Sequence, residues 1–100
     1  MLVKLCDKTL LAPGELRSFK VRDREILAVN ISGIVFCLDG RCTHAGAPLV
    51  EGSLEGEVLT CPWHYSQFKI TGGEVLHGPA YKPLKIYRVE EKENAVYIDL

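Results

Sequence analysis

Residues 40–83 read GRCTHAGAPLVEGSLEGEVLTCPWHYSQFKITGGEVLHGPAYKP, and two short phrases in that stretch decide how the rest is read. Cys42-Thr43-His44 is a Cys-x-His. Sixteen residues after it, Cys61-Pro62-Trp63-His64 is a Cys-x-x-His. Each phrase offers one soft thiolate and one imidazole within a few residues, enough to clamp one side of a metal centre. Residues 57–60 form a brief strand-like run feeding the second phrase, and Gly52 and Gly56 flank the excursion between the two. The same stretch holds four of the five prolines and all three histidines. That is the composition of loops set on a rigid scaffold, where sites are usually built.

Outward from the centre the periodicity is that of strands. Residues 16–21, 26–31 and 34–38 are short apolar or alternating runs, separated by turn signals at residues 22–25 and at Ser32-Gly33. Near the end, Leu84, Ile86 and Val89 share one strand-like run, and residues 95–100 form another behind the turn Lys92-Glu93-Asn94. The last pair therefore reads as an antiparallel hairpin with Val96 and Ile98 on one face and Tyr97 and Asp99 on the other. No window supports a helix of three turns. The expected fold is all-β: a small antiparallel sandwich or partly open barrel, carrying a subdomain of loops and short strands over residues 40–83.

One hundred residues without a linker or repeat make one domain, 1–100. Twelve basic and thirteen acidic side chains leave a net charge of −1, which gives no footprint for nucleic acid or an acidic membrane. Lys4, Asp7 and Lys8 interrupt the first apolar stretch, so neither a signal core nor a membrane span is expected. Four cysteines without an export signal point to a reducing, cytoplasmic setting, where metal binding is the commoner use of thiols. Cys37 lies in an apolar run and Cys6 ends another, so both read as buried small hydrophobes outside any ligand set.

The paired phrases resemble the Rieske family, in which a [2Fe–2S] cluster has two cysteines on one iron and two histidines on the other. The resemblance covers essentially the whole chain. It implies one cluster per chain on Cys42, His44, Cys61 and His64, with the histidine edges toward solvent. It also implies a covering proline loop, matched by Gly78-Pro79-Ala80 and Pro83-Leu84. Two ferric ions balance two sulfides and two thiolates, so one electron enters an uncharged centre more easily than it enters an all-thiolate one. High-potential members of the family carry an extra disulfide between the two loops; Ala47 and Trp63 stand at those positions here. Of two hydroxyl donors near the cluster in those members, Ser66 matches one and Phe68 replaces the other, a pattern that suggests a low-to-intermediate potential.

By this resemblance the chain is a soluble electron carrier, itself no enzyme, between a reductase and a terminal enzyme such as an oxygenase. Docking is expected at the histidine tip, framed by residues 43–48, 63–66 and 78–83, with Ala45 and Ala80 open to the partner. Two other readings stay open: a small subunit of a larger reductase, of the nitrite reductase type, and a zinc-stapled interaction module. His77 reads as a surface residue or one just behind the ligands, and Tyr81 as a packing residue, with docking aromatic as its alternative.

Overall fold

The computed structural model describes all residues, 1–100. Its regular structure is strand, apart from two single turns of 3-10 helix at Lys8–Leu10 and Leu49–Glu51. Three antiparallel sheets result, and none closes into a barrel. The first has the order β1–β11–β10, from β1 (Leu2–Asp7), β10 (Val89–Lys92) and β11 (Ala95–Asp99). The second has the order β2–β3–β4–β9, from β2 (Leu16–Val21), β3 (Arg24–Ile31), β4 (Ile34–Asp39) and β9 (Ile86–Tyr87). The third is the meander β5–β8, from β5 (Ser53–Glu55), β6 (Val58–Thr60), β7 (Gln67–Lys69) and β8 (Val75–His77).

The hairpin turns follow from their residues. Ser32-Gly33 and Glu93-Asn94 each join two strands with both residues at positive φ. That is the mirror-image turn whose twist matches the flanking strands, and it favours Gly and Asn. The turn after β2 is only Arg22-Asp23, since Arg24 and Glu25 already belong to β3.

β3 sits at the middle of the molecule. Ile26 and Ala28 face a cluster of nine buried residues that includes Cys6, Cys37, Val96 and Ile98. Leu27 and Val29 face the other way, into a cluster of twelve that includes Leu38, Leu49, Leu59, Phe68 and Ile70. The strand period of two thus feeds two cores from one strand. Each fully buried aliphatic side chain contributes roughly 1.5–3 kcal/mol. The second core is shared between β3–β4 and the β5–β8 meander, so the meander has no separate interior.

Two readings of the sequence need correction. The run of Leu84, Ile86 and Val89 is not one strand: β9 pairs with β4, whereas β10, beginning just beyond Arg88, pairs with β11. Residues 2–7, not expected as a strand, form β1. It is held to β11 with a register shift between Lys4 and Cys6 that interrupts a simple alternation. Cys6 and Cys37 are buried, as expected.

Candidate metal centre

The two Cys-His phrases lie on loops that the fold brings side by side. The first loop leaves β4 and returns at an isolated bridge between Arg41 and Pro48. It is closed internally by Cys42 N–H to the Ala47 carbonyl (2.9 Å) and Gly46 N–H to the Cys42 carbonyl (2.9 Å). The second loop is the turn of the β6–β7 hairpin, closed by Cys61 N–H to the Ser66 carbonyl (2.8 Å). Both cysteines are buried, Cys42 at 4% and Cys61 at 1% exposure. His44 and His64 are exposed, with ring centroids 5.1 Å apart in an edge-to-face arrangement.

The electrostatics differ from outside to inside. Burial pushes the Cys42 thiol up, against the backbone N–H groups of His44 and Ala45, which pull it down; the Cys61 sulfur alongside pushes it up again. Two thiols thus share a dry interior, while two imidazoles meet solvent. Cys37, by contrast, is pushed up to about 12, chiefly by burial, and belongs to the other core. Such a thiol is inert as a ligand unless the core opens.

The third loop, residues 78–83, lies against the other two. Thr43 donates its hydroxyl to the Lys82 carbonyl at 2.7 Å. Ala80 N–H donates to Ser66 Oγ at 2.9 Å, in the interior. Ser66 is fully buried, and that bond uses it as an acceptor, leaving its own proton for another partner. Phe68 is fully buried opposite Leu59 and belongs to the core. Pro79 is exposed and follows a cis peptide bond from Gly78. Ala80 is 4% exposed and packed in the shared core, so it is not open to a partner as the sequence suggested; its anchoring by Ser66 is the reason. His77 is exposed at the end of β8, outside the paired loops.

Two residues that shape the site, Arg41 and Gly73, were not singled out from the sequence, and Gly52 was read only as flanking the excursion between the loops. Arg41 donates to the Gly46 carbonyl (3.1 Å) and to Glu25 Oε1 (3.0 Å), fixing the first loop to β3. A Cβ on Gly52 would clash with the Thr60 carbonyl oxygen, so β5 can lie this close to the strand before Cys61 only with glycine there. Gly73 meets the Leu84 carbonyl in the same way. A glycine count in the sequence does not distinguish these from turn glycines.

Fold and site together define a small β protein with two Cys-His loops side by side, thiols buried within and imidazoles exposed without. The chain belongs to the Rieske [2Fe–2S] domain family, whose pattern matches residues 1–88. It is 35% identical to the ferredoxin component of biphenyl 2,3-dioxygenase from Rhodococcus jostii, over 99% of this chain and 92% of that one. It is 33% identical to ferredoxin CarAc of Metapseudomonas resinovorans, over 96% and 91% of the two chains. Among solved structures, the ferredoxin of Sphingomonas yanoikuyae superposes with a TM-score of 0.94 at 30% identity, covering 100% and 99%. A ferredoxin in complex with the oxygenase of carbazole 1,9a-dioxygenase superposes with a TM-score of 0.90 at 31% identity, covering 97% and 91%. The family's cofactor is the Rieske [2Fe–2S] cluster. No helix is long and apolar enough to cross a membrane.

Proposed function

We propose that this chain, a single domain with its cluster-binding part at residues 40–83, is a one-electron carrier that receives electrons from a reductase and delivers them to a terminal oxygenase. The observation that carries the reading is the inside–outside pairing at the two loops: buried Cys42 and Cys61, exposed His44 and His64. That donor set suits a two-iron cluster with unlike ligand pairs, thiolates within and imidazoles without. When bound, such a cluster accepts and releases one electron at a time.

The chain's own residues account for the rest. The shared core around Cys42 and Cys61 excludes water from the thiolate side. The exposed imidazole edges give a short path to a partner. Ser66 has a buried hydroxyl proton available to a sulfur, which would favour the more negative, reduced state. Phe68 supplies no second donor. The tip loops, residues 43–48, 63–66 and 78–83, form the docking face, and Lys82 is their only formally charged residue with the histidines neutral.

Metal and sulfide analysis tests this directly. The purified protein is expected to hold about two irons and two labile sulfides per chain. His44→Ala and His64→Ala should each abolish the Rieske-type signal of the reduced state, whereas Cys6→Ser with Cys37→Ser should keep it. One zinc and no sulfide would overturn the reading. Stoichiometric co-purification with a reductase would instead make the chain a fixed subunit.

A further inference from the structure

The two site loops share one backbone plan. In each, the cysteine N–H bonds the carbonyl five residues on, Cys42 to Ala47 and Cys61 to Ser66. In each, the fourth residue after the cysteine turns into the left-handed region: Gly46 at φ +74° and Tyr65 at φ +61°. Glycine takes that conformation freely, whereas a bulky aromatic there is an outlier. A Cβ at Gly46 would meet nothing within 4 Å, so conformation rather than space sets the preference for glycine. Tyr65 therefore holds a backbone that its own side chain disfavours, next to His64. The residue is 69% exposed, so the core gains little from it. Strain kept at a site without a packing return points to a use outside the fold.

We propose that Tyr65 is a partner-recognition residue, held outward beside His64 so that its ring enters an apolar hollow on the protein electron acceptor. This rests on the carrier reading above. Trp63, 53% exposed on the same loop, and Tyr81, 82% exposed on the third loop that Ala80 N–H ties to Ser66 Oγ, supply two further aromatic rings. Aromatic anchors of this kind carry most of the energy of small interfaces. Lys82 is the only formal charge on the three loops with neutral histidines, so the hollow is matched by ring burial and not by a field of opposite charge.

The test uses the cluster-loaded protein and the oxygenase components of carbazole 1,9a-dioxygenase and biphenyl 2,3-dioxygenase, taking whichever the wild type reduces faster. Tyr65→Gly gives the second loop the residue of the first. It should raise the thermal midpoint by about 4 °C, keep the cluster absorption and potential, and slow second-order electron transfer about tenfold. Tyr65→Ala should slow transfer equally without the gain in midpoint, and Tyr65→Phe should retain the wild-type rate. Wild-type transfer should change little between low and moderate salt. A lower midpoint in Tyr65→Gly, or a transfer rate within about twofold of wild type, would overturn the proposal. A wild type that reduces neither oxygenase overturns the carrier reading first, and the role of Tyr65 with it.

Discussion

The two loops that present the Cys-His phrases are alike in closure and unlike in support. The second is the tip of a hairpin, with β6 and β7 paired up to Thr60 and Gln67 on either side. The first has an isolated bridge behind it and is tied by side chains: Arg41 to Glu25 and to the Gly46 carbonyl, Thr43 to the Lys82 carbonyl. The loop with strand support carries a tyrosine at its left-handed position; the loop hung on side chains carries glycine. A frame of ladder hydrogen bonds can hold an unfavourable backbone that isolated surface ties would not.

The contrast can be broken at its glycines. Gly52→Ala forces a Cβ against the Thr60 carbonyl oxygen, one residue before Cys61, and should destabilise the protein by roughly 3 kcal/mol. Gly46→Ala meets no atom and adds only the left-handed penalty, about 1 kcal/mol. Denaturant midpoints of the two variants would show the order. Equal losses would mean that the second loop is no better framed than the first.

Ties to the third loop sharpen the same comparison. Ser66→Ala leaves the buried Ala80 N–H without its acceptor, a loss of about 2 kcal/mol. If the serine proton reaches a cluster sulfur and the bond is worth about 1 kcal/mol more in the reduced state, the potential should fall by about 40 mV. Protein-film voltammetry and unfolding curves on one sample separate the two effects. Thr43→Val removes the exposed counterpart of this tie and should lose only about 1 kcal/mol. An unchanged potential in Ser66→Ala would direct the hydroxyl elsewhere.

The smallest effect is expected at Arg41→Gln. Its ion pair with Glu25 is partly solvated, so its loss should stay below about 1 kcal/mol and shrink in high salt. A larger, salt-independent loss would make the Gly46 carbonyl bond the essential part of the tie.

The two Cys-His phrases were legible because their information is local: Cys42, His44, Cys61 and His64 stand out by type and spacing, and the fold brings their loops side by side. The hairpin of β10 and β11 was legible for the same reason, through alternation and a turn. What could not be read depends on distant partners. β9 and β10 look continuous in sequence, and only their separate pairing with β4 and β11 divides them. β5, β7 and β8, at three residues each, are too short to show a period. Ala80 looked like a surface residue because its burial rests on Ser66, fourteen positions away. The equivalence of Gly46 and Tyr65 is a property of φ, which residue type does not disclose.

β3 has a last consequence, for the order in which the molecule comes apart. Because alternate residues of this one strand fill both cores, neither core can open without uncovering a face of β3. Its central amides should therefore exchange with deuterium only through global unfolding, while the short meander strands exchange through smaller openings. Opening of the paired loops would then register beyond them. Faster exchange along β3 would carry the signal across the molecule, to the β1–β11–β10 sheet packed on its other face.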